Sequence, residues 1–295
     1  MSADGRREDW LCERQTEGVS LCLRVRRWLV RRRTPFQELA LAETDDLGLV
    51  LALDGKIMLS QRDEPFYHEM LVHPAMLLHP SPERVLVVGG GDGGTLREVL
   101  RHPSVQAAVL VEIDREVIRA SREHLAAIHQ GAWDDPRVEV VIAPGEEFTA
   151  GKEGEFDVIL VDSTDPVGPG EALFSDQFFA ACGRALAQGG LLALQAGTPF
   201  FWQQSLRQLV IRLRRQFPEV AVYLGFVPSY PSGMWAYALA GPAGFRGQEA
   251  ELETRYAARG LSTQYYSPAV HRAAFALPPF LARLLAEKPT PTGSR

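Results

Sequence analysis

The chain has 295 residues, 46% of them hydrophobic, enough for a large core and for one or two domains. A formal net charge of −6 gives the protein no overall bias toward nucleic acid or an anionic membrane. No apolar run has membrane-spanning length and Met1–Trp10 carries no signal-peptide pattern, so a cytoplasmic protein is expected.

Residues 1–75 read as a small antiparallel β-sheet domain. Short β-like runs at 19–25, 36–42, 49–53 and 56–59 are separated by turn residues, and Asp54-Gly55 is a strong hairpin signal. Arg24, Arg26, Arg27, Arg31, Arg32 and Arg33 interleave with Val25, Trp28, Leu29 and Val30. The pattern predicts a solvated strand face and hairpin rather than an anion site. Cys12, Cys22 and Cys182 have neither metal spacing nor a disulfide framework, so unpaired thiols in a reducing compartment are expected.

Residues 76–286 alternate strand and helix. Strands are expected at 85–88, 107–111, 138–142, 158–161, 191–195, 221–224 and 235–240. Helices are expected at 95–101, 115–128, 146–150, 176–186 and 201–216. Such alternation predicts an α/β fold with a Rossmann-like, doubly wound, mostly parallel sheet. The tail, 287–295, is polar with two prolines and is expected to be disordered.

The most informative run is the strand 85–88 followed by Gly89-Gly90-Gly91-Asp92-Gly93-Gly94. Thr95 with Glu98 three residues on predicts a capping box that opens a helix. Strand, glycine turn and helix make a nucleotide cradle, because glycines admit close backbone approach and the helix start offers free N–H groups. Asp92 is unusual there. A carboxylate repels phosphate and attracts a cation, which points away from an ordinary dinucleotide.

In doubly wound sheets, ligands bind beyond the carboxyl ends of the strands. Glu112 ends the second strand, 18 residues after Gly94, where an acid can accept hydrogen bonds from ribose hydroxyls. Ala143-Pro144-Gly145-Glu146 follows the third strand. Asp162 and Asp165 follow the fourth, in a loop restrained by Pro166 and Pro169. Asp92, Glu112, Asp162 and Asp165 on one rim would repel one another unless cations came between them. A metal ion or a cationic organic substrate would answer this, and no histidine accompanies them in motif spacing. Gln195 ends a strand on the same rim, and Tyr230-Pro231-Ser232-Gly233 is a turn with an aromatic.

Together these residues resemble the spermidine synthase family of aminopropyltransferases, over about Trp10 to Leu284. The resemblance is carried by Leu53-Asp54-Gly55, Arg62-Asp63-Glu64, Tyr67-His68-Glu69-Met70 and the loop from Gly89 to Glu98. Asp162 to Pro169, Tyr230 to Gly233, Tyr265-Tyr266 and His271-Arg272-Ala273-Ala274-Phe275 continue it. The Tyr-His-Glu-Met run is that of the bacterial form.

The resemblance implies a class I methyltransferase-like sheet and transfer of an aminopropyl group from decarboxylated S-adenosylmethionine to putrescine. The products would be spermidine and methylthioadenosine. It implies no prosthetic group, no metal, no nucleic-acid or membrane partner, and a homodimer or homotetramer. By it, Asp162 is the general base, Asp92 binds the aminopropyl ammonium, and Asp165 holds the acceptor. Tyr67, His68, Gln195 and Tyr230 line the acceptor channel. Gln37, Gly89, Gly91, Glu112, Pro144, Gly145 and Pro169 surround the nucleoside. Pro144 departs from the family's usual Asp, which reads the adenine amino group, so Glu146, Glu147 or a backbone carbonyl would have to serve. Agmatine, cadaverine or spermidine as acceptor, a small-amine methyltransferase, and a non-catalytic polyamine-binding homologue are the alternatives.

Overall fold

The computed structural model describes residues 9–164 and 168–286. Strands β1 (Asp9–Arg14), β2 (Ser20–Arg33), β3 (Glu38–Thr44), β4 (Leu49–Leu53) and β5 (Lys56–Ser60) form an antiparallel sheet in sequential order. Asp54 and Gly55 have φ of 48° and 72°, the doubly positive turn that the dipeptide predicts. The arginine cluster lies on β2 and is largely neutralised. Arg24 and Arg26 bond Asp45, Arg27 reaches Glu43 at 3.3 Å, and Arg32 reaches Glu116 at 2.7 Å. Arg31 lies over the Trp28 ring at 5.0 Å.

The cysteine expectation is corrected. Cys12 and Cys22 stand directly opposite on β1 and β2 and are joined by a disulfide; Cys182 is free and buried. Their spacing in sequence gave no sign of this, because the hairpin register brings them together.

Helix α1 (Glu64–Leu78) was not foreseen. Its apolar residues fall on every face, so no helical stripe marks it, and all but one of its residues are buried. It packs on the second sheet and runs across the boundary expected at residue 75.

That sheet comprises β6 (Arg84–Gly89), β7 (Ala107–Glu112), β8 (Val138–Ile142), β9 (Phe156–Asp162), β10 (Leu186–Gly197), β11 (Glu219–Phe226) and β12 (Met234–Gly241). Its order is β11-β12-β10-β9-β6-β7-β8, with β12 antiparallel to both neighbours. Val85 and Val87 enter the core on one face; Leu86 and Val88 enter the core on the other. Layers on both faces account for the unbroken apolar strand.

The remaining helices are α2 (Gly94–Leu100), α3 (Arg115–His124), α4 (Ala126–His129), α5 (Gly145–Ala150), α6 (Asp176–Ala185), α7 (Gln203–Gln216), α8 (Leu252–Ala258), α9 (Pro268–Ala274) and α10 (Pro279–Ala286). The helix expected over 115–128 is therefore two, divided at Leu125. Among the described residues no helix is long and apolar enough to cross a membrane.

The capping box is also corrected. Gly93 caps α2 with no side-chain bond; Thr95 instead donates to Asp162 at 2.7 Å, and Glu98 is fully buried against Arg97. Two charged motifs become structural ties. Asp63 accepts from the Ser229 N–H at 2.7 Å and fixes the turn carrying Tyr230. Glu69 accepts from the backbone N–H groups of Gln264, Tyr265 and Tyr266, each at 2.8 Å.

Candidate active site

The chain leaves β6 in one direction to β7 and β8, then returns to lay β9 on the other side of β6. The resulting switch point, where ligands bind in such sheets, pairs Gly89 with Asp162. Gly89 has φ of 83°, and a Cβ there would lie 2.1 Å from the Asp162 carbonyl oxygen. The Gly90 N–H donates to that oxygen at 2.8 Å. Gly94 opens α2 against His68, where a Cβ would lie 2.2 Å from the imidazole. The glycines thus bring the two strand ends and the histidine into contact.

A cavity of about 110 Å³ opens at this point, lined by Gln37, Gly89, Gly91, Asp92, Glu112, Gly145, Glu146, Asp162 and Tyr230 among others. Leu51, Leu53 and Met58 bring the first sheet into its wall. Glu112 accepts from the Asp114 N–H at 2.9 Å, and burial pushes its carboxyl up to about 7, with the charge of Asp114 adding. Gln37 donates to Asp114 at 3.0 Å, so it is anchored beside the same acid. Pro144 is not among the lining residues; it precedes α5, and Gly145 and Glu146 face the cavity instead.

Asp92 accepts from the Gly94 N–H at 2.7 Å and lies 3.3 Å from His68 Nε2. Behind it, His68 Nδ1 is 2.6 Å from Glu64, which takes both terminal nitrogens of Arg97 at 2.8 and 2.9 Å. Burial alone would neutralise these groups. The flanking carboxylates outweigh burial and hold His68 well above its ordinary value, as the imidazolium. Asp92 is held low by His68 and the Gly94 N–H, again against burial. His68 does not line the cavity as expected; it backs Asp92. His68, Asp92 and Asp162 offer ligand atoms within 4.8 Å of one another. Both ring nitrogens of His68 are already engaged by carboxylates, Nδ1 by Glu64 at 2.6 Å and Nε2 by Asp92 at 3.3 Å.

Asp162 receives the Tyr67 hydroxyl and the Thr95 hydroxyl, one on each oxygen, both at 2.7 Å. Burial, and then the charge of Asp92, raise its pKa. Burial and Asp162 push the Tyr67 phenol well up, so it stays a neutral donor.

A second, smaller cavity shares Met58, Tyr67, Ser163, Thr164 and Tyr230 with the first. Gln195, Trp235, Lys56 and Glu13 line only the second. Tyr67 and Tyr230 lie 5.4 Å apart, and Tyr230 meets Trp235 edge-on at 4.7 Å. The Tyr230 hydroxyl donates to the Met58 carbonyl, and Gln195 Nε2 reaches the Ser163 carbonyl at 3.3 Å. Glu13 was missed in the sequence. The signal was present: it shares the inward face of β1 with Leu11, two residues away, and is 2% exposed. Asp165 lies outside the described residues, as does the side chain of Pro169.

A switch-point cavity lined by Asp92, Glu112 and Asp162, meeting an aromatic cavity at Tyr67 and Tyr230, fits an enzyme that brings a nucleoside and a cationic substrate together. The comparisons agree with that class. Residues 64–248 match the spermine/spermidine synthase domain and residues 9–61 match the spermidine synthase tetramerisation domain. The chain is 39% identical over 280 residues to the polyamine aminopropyltransferase of Thermoanaerobacter sp. (strain X514), covering 95% of this chain and 99% of that one. It is 42% identical over 278 residues to that of Bacillus cytotoxicus, covering 94% and 99%. A spermidine synthase in complex with the transition-state analogue AdoDATO superposes with a TM-score of 0.90 at 40% identity, over 97% of each chain. Spermidine synthase from Thermotoga maritima gives 0.89 at 39%, over 97% of each. The chain belongs to the spermine/spermidine synthase family.

Proposed function

We propose that this protein transfers the aminopropyl group of decarboxylated S-adenosylmethionine to putrescine, releasing spermidine and methylthioadenosine. The observation that carries the reading is Asp162, fixed by Tyr67 and Thr95 beside the residues common to both cavities. The nucleoside occupies the larger cavity, with Glu112 accepting its ribose hydroxyls, Gln37 beside Glu112, and Gly145 and Glu146 taking over the adenine end from Pro144. Asp92 holds the aminopropyl ammonium, and the diamine lies in the aromatic cavity. Asp165 and Pro169 keep their roles as acceptor and nucleoside contacts within this reading.

A free alkyl ammonium has a lysine-like pKa of about 10, so it must surrender a proton before attack. Asp162 gathers the cation and takes that proton as the amine nitrogen bonds to the methylene carbon. The carbon–sulfur bond breaks, its electron pair stays on sulfur, and the sulfonium becomes a neutral thioether. Both reactants held in line supply much of the acceleration.

The test is product analysis. Purified protein with putrescine and the decarboxylated donor should yield spermidine and methylthioadenosine by mass spectrometry. A methylated amine from intact S-adenosylmethionine would identify a methyltransferase instead, a reading that Asp92 opposes because it repels the methionine carboxylate. Binding of both substrates without any product would leave only a polyamine-binding homologue.

Donor binding is expected to follow Glu112. Its raised pKa means the native state keeps a proton that the unfolded chain has lost, between about pH 4.3 and about 7. This group's contribution to stability therefore falls as pH rises across that window. Ribose hydroxyls favour the ionised form, so methylthioadenosine binding should release a proton and tighten as pH rises through about 7. Calorimetry near neutral pH in two buffers of different ionisation enthalpy checks this. A binding enthalpy independent of buffer would show that Glu112 is already ionised before the nucleoside binds.

The same reading assigns residues 9–61 to a sheet domain and α1 onward to the catalytic domain, with assembly as a homodimer or homotetramer. The match to a tetramerisation domain supports assembly, as do Trp10 at 50% and Val19 at 41% exposure. The small-molecule substrates fit a cytoplasmic enzyme.

A further inference from the structure

A diamine acceptor brings two ammonium groups. One must lose its proton at Asp162; the other stays charged and needs a carboxylate. Among the described residues, Glu13 is the acid that lines the aromatic cavity and not the nucleoside cavity. One of its oxygens accepts from the Ile57 N–H at 3.3 Å, and the other lies 3.8 Å from Lys56 Nζ. Lys56 itself is tethered, since its ammonium donates to the Arg14 carbonyl at 2.7 Å. The hairpin between β4 and β5 thus delivers a fixed positive charge to the wall of the acceptor cavity, next to the buried Glu13.

We infer that Lys56 sets acceptor specificity by electrostatic exclusion, admitting a diamine and rejecting a triamine; this rests on the aminopropyl-transfer reading above. One remote ammonium can share Glu13 with Lys56. A triamine carries a further positive charge beyond the reacting nitrogen, and that charge would meet Lys56, with Glu13 the one acid among the described residues that line this cavity. Like charges brought together in a partly desolvated site discriminate strongly, and the effect needs no change in how the correct substrate binds.

The test compares kcat/KM for putrescine and for spermidine as acceptors in the unmutated protein, Lys56→Met and Lys56→Arg, with the donor held constant. Met keeps a stem of similar length and removes the charge. The triamine-to-diamine ratio should rise at least about tenfold in Lys56→Met, equivalent to about 1.4 kcal/mol. It should stay low in Lys56→Arg, with the donor KM unchanged in both. A ratio unmoved in Lys56→Met, in a variant that still turns over putrescine, overturns the inference while leaving aminopropyl transfer intact. No transfer to any amine by the unmutated protein would overturn the functional reading and this inference with it.

Discussion

Asp162→Asn should lower turnover by at least about 100-fold, the low end for losing a general base, with donor affinity nearly unchanged. The amide is isosteric and still fills the space between Tyr67 and Thr95. It cannot take a proton from the attacking ammonium. One of its faces also becomes a donor, opposing a hydroxyl that now donates at 2.7 Å. Burial and Asp92 raise the pKa of Asp162, which strengthens it as a base while it remains ionised. Turnover should therefore fall on the acid side of the pH profile, and that limb should vanish in the variant. Single-turnover rates across pH would measure both effects. Turnover within about tenfold of the unmutated protein would assign the base elsewhere.

Asp92→Asn should weaken binding of the decarboxylated donor by at least about 30-fold, because removing one member of a buried charged pair costs about 2 kcal/mol or more. The loss has two parts. The aminopropyl ammonium forfeits its counter-charge, and His68 keeps only Glu64, 2.6 Å away on its other nitrogen. The variant should also bind intact S-adenosylmethionine with less relative penalty, since the repulsion of its carboxylate is gone. Removing the charge of Asp92 should lower the pKa of Asp162 as well and move the acid limb of turnover to lower pH. Titration calorimetry with both nucleosides measures the preference. An Asn variant with undiminished preference for the decarboxylated form would exclude Asp92 as the discriminating residue.

The site's acids were legible because each follows an apolar strand, and the strand pattern is a local property of sequence. Asp92, Glu112 and Asp162 all line the one cavity, as their positions at strand ends require. His68 was legible only as part of a motif. Its placement behind Asp92 depends on Gly94, which has no side chain to displace the imidazole, and on Arg97 supporting Glu64 from the next helix. Helix α1 escaped notice because a helix buried all round has no polar face, and amphipathic periodicity is the signal that reveals helices. Glu98 was misread for a related reason: a capping box and a buried ion pair can share one spacing, and the burial of Glu98 decides which forms.

The sequence alone determined the two-sheet organisation, the turn at Asp54-Gly55, and the acidic rim that calls for cationic substrates. These follow from alternation, glycine placement and charge, all readable within a few residues. Only the tertiary structure decided that Cys12 meets Cys22, that Glu69 ties down residues 264–266, and that Glu13 and Lys56 reach the second cavity. Each of these contacts depends on strand register or on the packing of distant segments. Local pattern sets which face a side chain takes, but the path of the chain sets what that face meets.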